Sequence, residues 1–238
     1  MRPSGKTRRR SPCEVRAEAY PRNVREEFHG QLERLGGELT GMCGLAAESM
    51  RRATRALLEA DLELSERVIA DDVELDEAGE RCEEHASTLL ATQAPVATEL
   101  RTVLATIYCA VKVERMGDLA AHVAEIARRA HPAPAVPPEL LDRVREMAGL
   151  DIDMATRLAA LVSGEGAEGG FDELRHTDDA VDALHAELLD AATGAEWTHG
   201  VAAAINLALL ARFYERFADQ AVSVARRLEF AATGTLPG

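Results

Sequence analysis

Four pairs of acidic residues, each spaced i and i+4, recur along this chain. Glu114 and Asp118 fall in Glu114-Arg115-Met116-Gly117-Asp118, and Glu215 and Asp219 in Glu215-Arg216-Phe217-Ala218-Asp219, so one Glu-Arg-x-x-Asp pattern occurs twice. Asp72 with Asp76 and Asp178 with Asp182 form the other two pairs. On a helix this spacing puts both side chains on one face, where two like charges one turn apart mildly repel. A single such pair reads as part of a solvated face. Carboxylates gathered from two facing helices, by contrast, need a counter-cation. A basic side chain can serve, and Arg115 and Arg216 stand beside the acids; a metal ion is the alternative. All-oxygen clusters suit Mg, Ca, Mn or iron rather than zinc. His122, one turn past Asp118, reads as structural, since Ser223 replaces it in the second copy.

At 100° per residue, Glu114 and Asp118 point with Ile107 and Val111, and Glu215 and Asp219 follow Val201, Ala204, Ala208 and Ala211. Acids that extend an apolar stripe are expected to look inward or into a groove. The segment from Glu59 to Glu84 adds twelve acids against two bases, Arg67 and Arg81, and so brings further negative charge alongside.

The elements that must position these acids are helices. Ala, Leu, Glu and Arg dominate between sparse Pro and Gly breaks, and no stretch alternates with period two over a strand's length. Six long segments are expected: 24–60, 62–92, 96–130, 138–162, 171–192 and 197–231. Pro95 separates two of them. The run from His131 to Pro138, with Pro132, Pro134, Pro137 and Pro138, reads as a stiff linker, and Ser163 to Gly170 as a flexible loop. Gly36, Gly37 and Gly44 read as close-packing or kink positions in the first helix.

The six segments are three repeated. Residues 110–127 laid on 211–228 match at seven of eighteen positions, and Asp72-x-x-x-Asp76 corresponds to Asp178-x-x-x-Asp182. A duplicated three-helix unit accounts for both. The expected class is therefore all-α: a basic leader at 1–23, two tandem three-helix bundles at 24–131 and 139–231, a proline-rich linker at 132–138 between them, and a short tail at 232–238. Each bundle is small, so the halves should pack lengthwise.

Composition narrows the function. The 238 residues carry 27 Lys plus Arg against 41 Asp plus Glu, a formal net charge of −14. Residues 1–22 hold seven of those bases and two of the acids, leaving the remainder at −19. A body so acidic repels a phosphate backbone, and 4% aromatics offers no base-stacking surface. No nucleic acid is expected as partner. The basic leader has no apolar core after its arginines, so it reads as disordered rather than as a secretory signal. The most apolar stretch, Val201 to Ala211, is too short to span a bilayer. A cytoplasmic protein is the expectation. Cys13, Cys43, Cys82 and Cys109 show no paired spacing and are expected to be idle thiols.

Signals for an enzyme are weak. The chain has no P-loop, no G-x-G-x-x-G after a strand, no G-x-S-x-G and no H-E-x-x-H. Among the four acid pairs, the nearest approach to the Glu-x-x-His of di-iron carboxylate bundles is Asp182-x-x-His185. A carboxylate-metal hydrolase or oxidase on a helical bundle is the alternative to a binding protein.

Val113-Glu114-Arg115-Met116-Gly117-Asp118 and Tyr214-Glu215-Arg216-Phe217-Ala218-Asp219 resemble the paired signatures of the PhoU family of bacterial phosphate-signalling accessory proteins. Pro95 to Arg101 and Ile69 to Asp76 resemble the stretches that accompany them, and the likeness runs from about Val24 to Phe230. It implies a non-enzymatic negative regulator that links an ABC phosphate importer to a sensor histidine kinase at the inner face of the membrane. It further implies a homodimer and a translation start near Val24. Carried over, the metal ligands would be Asp72, Asp76, Glu114 and Asp118 in the first bundle, and Asp178, Asp182, Glu215 and Asp219 in the second. They would hold iron, Zn, Mg, Mn, Ca or Ni. The chain departs from the pattern at Leu119 and Gln220, where many members have His, and at Ala218, where the consensus is Gly.

Overall fold

The computed structural model describes residues 22–165 and 169–236. Its elements are α1 (Arg22–Glu59), α2 (Leu62–Gln93), α3 (Thr98–Ala130), a 3-10 turn (Pro138–Leu140), α4 (Leu141–Val162), α5 (Gly170–Thr193) and α6 (Gly200–Thr233), with no strand among the described residues. The expected leader lies outside those residues except for Arg22 and Asn23, which belong to α1. So do residues 166–168 of the expected loop and the last two residues of the tail.

Local chemistry sets the breaks. α1 stops at Ala60, which takes a left-handed φ of 52°, and Asp61 then caps α2 by accepting from the Leu64 N–H at 2.9 Å. An N-terminal side-chain oxygen satisfies one of the amides the first turn leaves open. α2 ends at left-handed Ala94 with Pro95 next, and α6 at Gly234 (φ 77°), whose N–H bonds the Phe230 carbonyl at 2.8 Å. Gly suits that position because it has no Cβ to crowd the carbonyl.

Helices α1, α2 and α3 pack on one another, as do α4, α5 and α6, while α3 lies on α6 and α1 on α4. The α3–α6 seam is antiparallel: Tyr108 Oη meets Ser223 Oγ at 3.0 Å, and Lys112 Nζ donates to Gln220 Oε1 at 3.1 Å. His122 stacks on Phe213, ring centroids 5.1 Å apart, with its Nδ1 buried and without a hydrogen-bond partner. Tyr214 of α6 bonds Thr54 of α1 at 2.9 Å in the core. The buried side chains form one continuous apolar core across both bundles.

Two expectations change here. The proline-rich connection is more than a spacer, because Ala135 and Val136 are 4% and 2% exposed and belong to the core. Gly36, Gly37 and Gly44 are not close-packing points: α1 runs straight through them, and a Cβ on any would meet nothing within 4 Å. The tight approaches are at Gly79 and Gly117 instead. The described cysteines, Cys43, Cys82 and Cys109, are buried free thiols. Burial pushes Cys43 up to about 12 and Cys82 to about 11, so neither is a thiolate nucleophile at neutral pH.

Candidate functional site

In the first bundle α2 supplies Asp72 and Asp76, and α3 supplies Glu114 and Asp118. Two glycines let these helices approach. A Cβ on Gly117 would stand 2.5 Å from Leu75 Cδ2 and 3.1 Å from Asp72 Oδ1, and one on Gly79 would stand 2.9 Å from Glu114 Oε2. Each inner acid therefore lies over the bare backbone of the opposite helix. Gly117 of the signature has a physical reason: any side chain there would displace Leu75 and Asp72.

The four carboxyls act on one another. Asp72 is half-buried and is pushed up to about 6, first by burial and then by Asp76, Asp118 and Glu114. Glu114 is raised by burial, then by Asp76, Asp118, Glu83 and Glu80. Asp118 has one direct counter-charge, Arg115 at 2.6 Å. Every acid acting on Asp72 and Glu114 comes from α2 or α3.

The second bundle repeats the plan with α5 and α6. Asp178 is pushed up to about 7 by burial, followed by Asp182, Asp219, Asp179 and Glu215. Glu215 is raised by burial and Asp219, while Arg212 and His185 act in the opposite sense. Ala218 replaces the signature glycine and is fully buried. In the register that matches Asp72 to Asp178, His185 takes the place of Gly79. Glu215 is paired by Arg212, one turn earlier, rather than by Arg216.

The second bundle holds a further acid, Asp151 of α4. It is 0% exposed, and neither carboxylate oxygen has a hydrogen-bond partner. Burial drives its proton affinity well above the ordinary carboxylate range, and Asp178 and Glu215 add to the effect. The buried positions of α4 follow those of α1 step for step: Val144, Met147, Ala148, Asp151, Ala155 and Leu158 against Leu39, Met42, Cys43, Ala46, Met50 and Ala53. Asp151 thus stands where the first bundle has Ala46.

The residues expected to form the two clusters are brought together, half for half. Asp72, Glu114, Asp118, Asp178 and Glu215 are half-buried, and Asp76, Asp182 and Asp219 are exposed. The apolar stripe used to orient them is itself partly outside: Val111 is 54% and Val201 75% exposed. The acids continue this partly open face along the seam between paired helices rather than point into the core. Sequence reasoning missed Asp151, Arg212 and Gly79. Asp151 had a signal, an acid interrupting the apolar periodicity Val144, Met147, Ala148, Met154, Ala155, Leu158.

Among the described residues no three His, Cys, Asp or Glu side chains converge into a set that encloses a metal ion. The donor chemistry nevertheless fits a hard cation. Every contributing acid is a carboxylate, several hold protons unusually tightly, and Asp151 has two orphaned oxygens. A cation that keeps several of its waters, as Mg does, needs only one or two carboxylates. Open pairs of the kind seen here are compatible with that mode.

Comparison with known proteins agrees with this architecture. A family model described as the PhoU domain matches residues 39–127 and again 144–228, once per bundle. The chain is 46% identical over 214 residues to the phosphate-specific transport system accessory protein PhoU homolog 2 of Mycobacterium tuberculosis, covering 90% of this chain and 100% of that one. It is 45% identical to PhoU homolog 1 of Mycobacterium leprae, over 90% of this chain and 96% of that one. The fold is shared with the phosphate transport system regulatory protein PhoU of Streptococcus pneumoniae, with TM-score 0.79 and 23% identity over 89% of this chain and 99% of that one. It is shared too with PhoU of Pseudomonas aeruginosa, with TM-score 0.81 and 23% identity over 87% and 100%. The duplicated helical unit, the twin acidic signatures and full-length likeness to curated relatives together place this chain in the PhoU family of phosphate-transport accessory proteins.

Proposed function

We propose that this chain is a non-enzymatic, cytoplasmic negative regulator of phosphate uptake and phosphate-starvation signalling. It docks on the ATPase subunit of a phosphate ABC importer and on a sensor histidine kinase, and it carries cations on its two acidic clusters. The observation that carries this reading is the match to PhoU accessory proteins over 90% of the chain, both signatures included. No described helix is long and apolar enough to cross a membrane, so contact with the importer is assigned to its cytoplasmic parts.

The surface chemistry supports docking. On α3 the exposed Leu100, Leu104 and Val111 lead along one face into Glu114 and Asp118. On α6 Val201, Ile205 and Leu209 lead toward Glu215 and Asp219. An apolar stripe that ends in acids suits a partner segment with apolar anchors and basic flanks; charge complementarity then sets on-rate and selects the partner. Cations would be held by Asp72, Asp76, Glu114 and Asp118 in one bundle and Asp178, Asp182, Glu215 and Asp219 in the other. A bound divalent ion would neutralise part of the acidic face, so occupancy would tune docking.

The test is alkaline phosphatase activity in phosphate-rich medium after gene deletion, with complementation by wild type and by Glu114→Ala/Glu215→Ala. High activity in the deletion strain that wild type silences, and the double variant at normal protein level does not, is the expected result. Unchanged activity in the deletion strain would overturn the brake.

A further inference from the structure

The two acidic clusters look like copies, yet among the described residues only the second has a buried acid beneath it. Asp151 is completely buried on the core side of α4, with both oxygens unpartnered; the acids whose charge acts on it are the cluster members Asp178 and Glu215, and Asp151 in turn acts on buried Tyr214. Buried polar groups are almost always hydrogen-bonded, so an orphaned carboxylate in a well-packed core calls for a partner that is absent from the protein itself. Arginine does not supply it, because the second cluster's ion pair runs from Arg212 to Glu215. In the first bundle the corresponding α1 position is Ala46, and Met42 Cε lies 3.4 Å from where a Gly79 Cβ would stand, so apolar groups back that cluster.

We propose that Asp151 is a supporting carboxylate of the second-bundle cation site, lying on the core side of Asp178 and Glu215, and that this chain therefore binds a divalent cation more tightly at its second cluster than at its first. This rests on the cation-binding reading above and adds to it a residue and an asymmetry. A carboxylate in low-dielectric surroundings attracts a nearby cation far more strongly than one in water. The cation in turn removes the penalty of an unpaired buried acid. Oxygen-only donors point to a hard ion of the Mg or Mn kind.

The experiment uses the full chain, stripped with chelator and titrated with Mn(II), with the free ion read by its paramagnetic resonance signal and the heat by calorimetry. Wild type is expected to show two classes of site. In a Glu114→Gln/Asp118→Asn background, which leaves the second cluster alone, Asp151→Asn should weaken binding by about 10–100-fold, the range seen when groups supporting a metal's ligands are removed. In a Glu215→Gln/Asp219→Asn background the same change should leave the first-cluster affinity where it was. Asp151→Asn keeps the shape of the side chain, and Asp151→Ala serves as a second variant; helicity and Tm establish that each is folded. Equal Mn(II) affinity with and without Asp151 would make it a neutral core acid and overturn the proposal while leaving the cation reading standing. No Mn(II) binding by the wild type would overturn both.

Discussion

The first bundle brings its acids together by removing side chains, whereas the second does so while keeping them. At the α2–α3 crossing, bare backbone at Gly79 and Gly117 accommodates Glu114 Oε2 and Asp72 Oδ1. At the α5–α6 crossing the corresponding places hold His185 and a fully buried Ala218, so that crossing has room for a methyl group. The first cluster rests on an apolar floor at Ala46 and the second on Asp151. One duplicated sequence thus gives two electrostatic environments. Asp178 is held at about 7, Asp72 at about 6. One repeated surface motif rests on different neighbours in its two copies.

The largest expected break of that contrast is Ala46→Asp, which would give the first bundle an unpaired core acid. Leaving such a group without a partner destabilises by roughly 3 kcal/mol or more. Urea unfolding followed by circular dichroism measures it, and a loss below about 1 kcal/mol would mean that the two floors are interchangeable. Next come the crossings. Gly117→Ala forces a methyl against Leu75 and should destabilise by about 1–3 kcal/mol, as overpacking does. Ala218→Gly should lose only about 1 kcal/mol, the helix-propensity difference. Equal losses in the two would remove the distinction in helix spacing.

pH sharpens the comparison. Asp178 and Asp72 both lie above their ordinary 3.8. An acid whose folded value is raised contributes stability at low pH that is lost as pH rises through the folded value. In chelator, Tm should therefore climb by a few degrees between pH 8 and pH 5. The part beginning near 7 should vanish in Asp178→Asn, and the part beginning near 6 in Asp72→Asn. A Tm that falls over this interval in every variant would contradict the assignment. The smallest effect is expected at the arginines: Arg115→Ala and Arg212→Ala each remove one i,i+3 pair, worth about 0.3–0.5 kcal/mol. Thermal scans at low and high salt would reveal a larger network contribution if there is one.

Much of this was legible from residue order. Helix-forming composition, Pro and Gly breaks and the duplicated Glu-Arg-x-x-Asp and Asp-x-x-x-Asp spacings carried six helices in two repeats, all eight cluster acids and the family. Helix ends and i,i+4 neighbours are local properties, so they can be read locally. Breaks set by left-handed alanines, Ala60 and Ala94, fell within a residue or two of expectation, since Asp61 and Pro95 mark them.

The tertiary structure decided what lies under and between the helices. Gly36, Gly37 and Gly44 looked like packing points and meet nothing, while Gly79 and Gly117 do the packing, because a glycine's role depends on which helix crosses it. Val111 and Val201 looked inward and face outward, because periodicity marks a face without saying whether anything covers it. Asp151 was one acid among 41 in the sequence. It became distinct only when α4 placed it at a fully buried position within electrostatic range of Asp178 and Glu215, with neither oxygen hydrogen-bonded. The sequence by itself determined which residues are helical, which are repeated and which are acidic; burial and proximity, which depend on contacts far apart in the chain, determined what those acids experience.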